Sequence, residues 1–283
     1  MTNRWAEIEV AAAGDEAQEK AGALLTEIAG CQGYSTVISA VTGYLPVDER
    51  LENTLLGLRD ALGDSFPPPT PEITIRFVAE EDWADAWKQY FKPQRIGQRF
   101  VIKPTWEPFS PTANDLVIEI DPGMAFGTGL HATTRLCLRA LEKQVTPDMT
   151  TLADVGTGSG ILAIGAALLG VATVEATDID PLAVRIAREN VLVNHLQSRV
   201  SVAEASAPPT GPFQIVVANI LADVILAMAD DLYVALLPQG LLIASGIIEN
   251  RAEDVRRGLL AAGFGILATE NEGEWVAITA RRS

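Results

Sequence analysis

The sequence predicts a two-part α/β chain, a small α+β unit followed by a doubly wound, mostly parallel sheet. Three observations predict it. From Asp115 onward, short apolar strands alternate with amphipathic helices, as in chained βαβ units. Asp154-Val155-Gly156-Thr157-Gly158-Ser159-Gly160 closes one of those strands and opens a helix. Before residue 80 the order is instead β-α-β-(β)-α-β, that of a ferredoxin-like sandwich. The chain's 283 residues are enough for two such domains.

The elements follow in order. Trp5 to Val10 alternates like a half-buried strand. Asp15 to Ile28 is a helix with Ala21, Leu24, Leu25 and Ile28 on one face. Tyr34 to Val41 is β-rich, ended by Gly43-Tyr44-Leu45-Pro46. Asp48 to Leu62 is a second amphipathic helix, and Glu72 to Val78 alternates again. Between them, Pro67-Pro68-Pro69 favours an extended, polyproline-like path. Glu80 to Tyr90 reads as a linking helix. The basic string Lys88, Lys92, Arg95, Arg99 and Lys103 reads as a solvated hinge, because Pro93 and Gly97 break the helical phase. The expected division is residues 1–79, a linking helix and hinge over 80–104, and residues 105–283. In the last part, strands are expected at 117–120, 152–155, 174–177, 200–203, 215–218, 241–245 and 275–280. Helices are expected at 133–143, 161–169 and 181–194, the last with Pro181 at its first position. In such a sheet a ligand sits at the carboxyl ends of the first strands.

Composition narrows the function classes. Hydrophobic residues make up 48% and charged residues 20%, which excludes disorder as the dominant state. Lys and Arg number 21 against 37 Asp and Glu, a formal net charge of −16. Such a surface repels phosphate backbones and attracts a basic partner, so bulk nucleic-acid binding is not expected. Through residue 64 there are eleven acids and four bases. Solubility is the plainer reading of the same charge. Cys31 and Cys137 form no Cys-x-x-Cys pair and no Cys/His cluster, which argues against zinc. They read as reduced thiols of a cytoplasmic chain. The N-terminal residues lack a signal-peptide pattern, and no apolar run of about 18 residues suggests a membrane span.

The glycine-rich turn carries the chemistry. Its Gly-x-Gly-x-Gly spacing departs from the dinucleotide fingerprint, since position 161 is Ile. It fits an adenosyl ligand without a pyrophosphate, with Gly156 and Gly158 letting the backbone approach. The next strand ends in Thr177-Asp178-Ile179-Asp180, about twenty residues on, where an acid binds ribose hydroxyls. Asp178 is the ribose candidate, and Asp180, just before Pro181, is the helix cap. A later strand ends in Val217-Ala218-Asn219-Ile220-Leu221. An Asn among apolar neighbours either caps the next helix or presents its amide to an amine nucleophile. A long Gly/Thr loop, residues 121–134, carries Phe126, Thr128, His131 and Thr134 and is expected to fold over the ligand. Thr133 or Thr134 also suits a helix cap, and His131 either packs in the loop or moves a proton.

Taken together, Asp-Pro-Gly-Met-Ala-Phe-Gly-Thr-Gly, Asp-Val-Gly-Thr-Gly-Ser-Gly-Ile-Leu-Ala-Ile, Asp-Ile-Asp-Pro and Ala-Asn-Ile-Leu-Ala resemble the ribosomal protein L11 methyltransferase family. The segment Glu81-Asp82-Trp83 through Trp87, then Phe91-Lys92-Pro93 and Arg95-Ile96-Gly97, and the ending Gly273-Glu274-Trp275-Val276 are similar too, so the resemblance runs from about residue 72 to the end. It departs at Thr157, where the family usually has Cys, and at Leu130-His131-Ala132, where it has Thr-His-Pro. The resemblance implies a class I, Rossmann-like S-adenosylmethionine methyltransferase with an N-terminal substrate-recognition domain. It implies methylation of lysine side chains and the N-terminal α-amino group of L11; a monomer with no membrane partner is the further expectation. Cofactor contacts are carried over to Thr134, Gly156, Asp178 and Asn219, joined by Gly158, Phe126 and Thr128. Asn219 and His131 are the catalytic candidates. Methylation of another protein such as a flavoprotein, of RNA or of a small molecule, and non-catalytic cofactor binding, are the competing readings.

Overall fold

The computed structural model describes residues 4–31, 34–37, 39–47, 51–79, 92–121 and 131–283. The linking helix expected over residues 80–90, and Phe126 and Thr128 of the Gly/Thr loop, lie outside the described residues. The chain forms two compact units, Met1–Tyr90 and Phe91–Ser283. Among the described residues, no helix is long and apolar enough to cross a membrane.

The first unit contains β1 (Arg4–Ala11), α1 (Asp15–Glu27), β2 (Tyr34–Val37), β3 (Ala40–Pro46), α2 (Leu51–Ser65) and β4 (Ile73–Ala79). Its sheet runs β2-β3-β1-β4, antiparallel throughout, which is the ferredoxin-like arrangement. Ala6, Ile8 and Val10 point alternately inward and meet Ala21, Leu25, Leu58 and Leu62 of the helices. One expectation is corrected here. β2 and β3 pair as a hairpin, and Gly43-Tyr44-Leu45-Pro46, expected to end the β-rich stretch, continues β3 instead. Gly43 lies inside β3, where a side chain would press on Cys31.

The second unit holds β5 (Gln94–Ile96), β6 (Phe100–Lys103), β7 (Leu116–Glu119), α3 (Ala132–Gln144), β8 (Thr151–Val155), α4 (Ile161–Leu168), β9 (Thr173–Asp178) and α5 (Pro181–Val193). It continues with β10 (Val200–Glu204), β11 (Phe213–Asn219), α6 (Ala222–Ala227), α7 (Ala229–Ala235), β12 (Leu236–Ile248), α8 (Glu249–Ala261), β13 (Phe264–Glu272) and β14 (Trp275–Arg282). The main sheet has the order β10-β9-β8-β11-β12-β14-β13. Its first five strands are parallel, and β14 and β13 complete it antiparallel. Because the sheet is covered on both sides, its central strands are apolar on both faces. Ile215 and Val217 of β11 join one core with Leu138, Leu141 and Ile164. Val216 and Ala218 join the other with Ile225, Leu232 and Val255.

Three further differences from the sequence reading have local causes. The residues expected to be a solvated hinge form β5 and β6, which pair with each other and with β7. Lys103 is buried there and pairs with Glu119 at 3.0 Å, and Arg95 pairs with Asp115 at 2.7 Å. Lys92 pairs with Glu107 at 2.7 Å, so of the described string only Lys103 is buried, while Lys92, Arg95 and Arg99 are exposed as expected. β12 begins at Leu236 because Pro238-Gln239-Gly240 is absorbed as an irregularity, with Gln239 at φ 66°, rather than breaking the strand. β13 is an edge strand with mixed exposure, so no clean alternation marks it in the sequence.

β7 is tied to the helical layer by an amide mimicking a strand. Asn194, at the end of α5, accepts from Glu119 N at 2.9 Å and donates to Glu119 O at 2.8 Å. Asn194→Ala leaves both backbone groups of Glu119 without these partners, and a loss of about 1–3 kcal/mol is expected in urea unfolding.

Candidate functional site

The site forms where strand order reverses. β8 is followed on one side by β9 and on the other by β11, so the connections leave in opposite directions and open a crevice at their carboxyl ends. A cavity of about 620 Å³ occupies it. Gly156, Gly158, Asp178, Ile179, Ala205 and Ser206 line one end, over β8, β9 and β10. Asn219, Ile220, Leu221, Val224, Met228 and Trp275 line the other.

The turn after β8 is locked from within. Gly156 N and Thr157 N both donate to Thr177 O at 2.9 Å, and Gly160 N donates to Thr157 O at 2.9 Å. Gly158 N donates to Asp178 Oδ2 at 2.8 Å. These amides are therefore occupied rather than aimed outward as a phosphate cradle, in keeping with the spacing that departs from a dinucleotide motif. Gly156 has φ 72°, and a methyl there would collide with Ile220. Only glycine gives this backbone without closing the gap between the turn and β11.

Asp178 stands at the tip of β9, at the cavity wall, and its Oδ1 accepts from Asp180 N at 3.0 Å. Asp180 caps α5 by accepting from Leu182 N at 2.8 Å, the cap expected from Pro181. Asn219 ends β11, and its Oδ1 is buried with no hydrogen-bond partner. The capping alternative is removed, because the residue capping α6 is Leu221 and the helix has no side-chain cap. An orphaned amide oxygen in a cavity wall is costly unless a ligand uses it.

His131 caps α3. Its Nδ1 lies 2.8 Å from Thr133 Oγ1 and accepts from Thr133 N at 3.4 Å. The ring meets Trp275 edge-on, with centroids 4.8 Å apart. Burial, then the Arg135 charge, hold its pKa below 6.5 against Glu274, so the imidazole is neutral near pH 7. Thr134 is fully buried in the first turn of α3, with Oγ1 unpartnered, and Thr133 rather than Thr134 lines the cavity.

The structure brings Gly156, Gly158, Asp178, Asn219 and His131 to one cavity and sets Thr134 behind its wall. Sequence reasoning missed the apolar side, Leu221, Val224, Met228 and Trp275. A signal for Trp275 existed: β14 is antiparallel, so it begins at the edge where its parallel neighbours end. The sequence also gave no special role to Asp154. It is fully buried, and its Oδ2 accepts from Thr157 Oγ1 at 2.6 Å and from Ala163 N at 3.1 Å. The residue at 157, a departure from the family pattern, thus contributes its side chain as well as its backbone.

Burial pushes the Asp154 carboxyl up from 3.8 to about 7, over the opposing effect of those two donors. Between these values the folded protein holds a proton that the unfolded chain has released. Stability therefore falls as pH rises through that window and levels off above it. Asp154→Asn removes the titration. Urea unfolding at about pH 5 and about pH 8 should show a smaller stability loss for the variant than for wild type.

With this geometry in view, the comparisons with known proteins are direct. Residues 38–283 match the family model described as ribosomal protein L11 methyltransferase (PrmA). A ribosomal protein L11 methyltransferase of Pelotomaculum thermopropionicum is 51% identical over 243 residues, covering 85% of this chain and 79% of the relative. One from Heliobacterium modesticaldum is 47% identical over 248 residues, covering 86% and 78%. The crystal structure of a ribosomal protein L11 methylase from Lactobacillus delbrueckii subsp. bulgaricus superposes with a TM-score of 0.61 at 34% identity, covering 68% of this chain and 100% of that one. The chain belongs to the ribosomal protein L11 methyltransferase family.

Proposed function

We propose that the protein transfers methyl groups from S-adenosylmethionine to lysine side chains and the N-terminal α-amino group of ribosomal protein L11. The buried, unpartnered Oδ1 of Asn219, beside the glycine turn and an apolar wall, is the observation that carries this reading. The donor set fits the cofactor. Asp178 suits ribose hydroxyls, Gly156 and Gly158 allow close backbone approach, Asn219 has an oxygen in want of a donor, and Thr134 supports the wall from behind. Phe126 and Thr128 are proposed to complete the set from the loop. When bound, S-adenosylmethionine supplies a methyl group activated by its sulfonium charge.

The protein's task is to present an unprotonated amine in line with that methyl. A free lysine has a pKa of about 10.4, so its neutral form costs about 4–5 kcal/mol at pH 7. The apolar wall disfavours the ammonium and lowers that cost. Asn219 Oδ1 accepts an N–H of the neutral amine and so turns its lone pair toward the cofactor. His131, neutral and at the cavity, is placed as a candidate to receive the proton that the amine sheds. The acidic first unit suits capture of a basic protein substrate.

Asn219→Ala is expected to lower single-turnover methyl transfer about 100-fold. Asp178→Ala is expected instead to weaken cofactor affinity about tenfold or more, read by cofactor titration. Unchanged turnover in Asn219→Ala would remove its assigned role. Labelled cofactor incubated with dissociated ribosomal components should label the L11 band; labelled RNA with no labelled protein would overturn the reading. Raising ionic strength from about 0.05 to about 0.3 M should raise KM for L11 well before it changes cofactor affinity.

A further inference from the structure

Asp154 does not line the cavity but lies one pleat behind it. Its neighbours in the strand register are Ala176 of β9 and Val217 of β11, both in the core that α3 covers. Asp178 and Asn219 stand two residues further along these strands, and so on the same face of the sheet. Asp154 therefore sits between and behind the two cavity residues, about 8 Å from each along the sheet. Its Oδ2 accepts from Thr157 Oγ1 and Ala163 N, while its Oδ1 is buried with no hydrogen-bond partner among the described residues. A carboxyl so placed keeps its proton until a positive charge comes near. The groups around it are few. α3 brings the Cys137 thiol, which burial pushes up and keeps uncharged. β9 brings the Asp178 carboxylate, which opposes a second negative charge. α4 and β11 bring no ionisable side chain.

We propose that Asp154, tuned by Thr157, is a buried proton switch by which the cavity tells the charged methyl donor from its uncharged product. Donor binding expels the Asp154 proton to solvent, and product binding leaves it in place. The inference rests on the proposed methylation for the identity of the donor. With the ribose at Asp178 and the methyl toward Asn219, the sulfur that joins them falls in front of Asp154. A sulfonium and a carboxylate about 8 Å apart in a protein interior favour each other by on the order of tenfold. The demethylated cofactor, a neutral thioether, lacks this attraction. After transfer the carboxylate has lost its counter-charge and takes a proton back from solvent. Thr157 sets the pH of the switch. Its hydroxyl donates to Asp154 and favours the ionised form, whereas the Cys usual in the family is a weaker donor.

The test is titration calorimetry of S-adenosylmethionine and of its demethylated form with the full chain, repeated in buffers of different ionisation enthalpy so that protons are counted. From a starting pKa of about 7, a tenfold effect on the proton equilibrium releases about 0.4 proton at pH 7. Wild type should release that much more than Asp154→Asn on binding the donor, and the same number on binding the product. Relative to Asp154→Asn, the wild-type preference for donor over product should grow about tenfold from about pH 5.5 to about pH 8. Thr157→Cys should move the pH of greatest release upward, and it decides the question alone if Asp154→Asn does not fold. A merely structural Asp154 would weaken both ligands alike and give no proton difference. Equal release in wild type and Asp154→Asn, the same difference for donor and product, or an unmoved maximum in Thr157→Cys overturns the inference and leaves the methylation reading standing. Binding of neither compound by wild type overturns both.

Discussion

Three hydrogen bonds at the carboxyl ends of β8 and β9 organise this site. Thr177 O receives Gly156 N and Thr157 N, and Asp178 receives Gly158 N. They fasten the turn to the neighbouring strand before any ligand arrives. The left-handed backbone at Gly156 keeps Ile220 in contact range, so the same turn also sets the distance to β11. The positions of Asp178 and Asn219 relative to one another follow from this one constraint.

Buried polar groups beneath the turn extend it. Asp154 gathers Thr157 and the amide of Ala163, linking β8 to the start of α4. Asn190 Nδ2 donates to Ser159 O at 2.8 Å, bringing α5 to the same turn. Each of these side chains is withheld from water, and each satisfies a backbone or hydroxyl group that would otherwise be stranded. A buried carboxyl with its pKa near 7 costs stability at neutral pH, and the order it imposes on the turn is the compensating gain.

The cavity built on this base joins two chemical surroundings. Its polar end suits a ribose-bearing cofactor, and its apolar end suits an uncharged amine. Asn219 lies at the junction and offers the one kind of group both sides can use, a neutral acceptor. His131 is bound into the wall by its cap to Thr133 and its contact with Trp275, which holds the N-terminus of α3 against the same opening.

Much of this was legible in the amino-acid sequence. The order of elements in the first unit, the run of parallel strands and helices from β8 to β10, the Asp180 cap, the glycine turn and the acid twenty residues beyond it are local patterns, because caps, turns and strand periodicity act over a few residues. The ribosomal protein L11 methyltransferase family was legible from motif order alone. What tertiary structure decided depends on partners far apart in the chain. Lys103 is buried because β7 brings it Glu119, and Pro238 to Gly240 stay within a strand because β11 pairs with Leu236 before them and with Leu241 after them. Asn219 is an orphaned acceptor rather than a cap only because α6 starts on Leu221. Leu221, Val224, Met228 and Trp275 become one wall because an antiparallel strand brings its beginning to the edge where parallel strands end, an adjacency that no local pattern encodes.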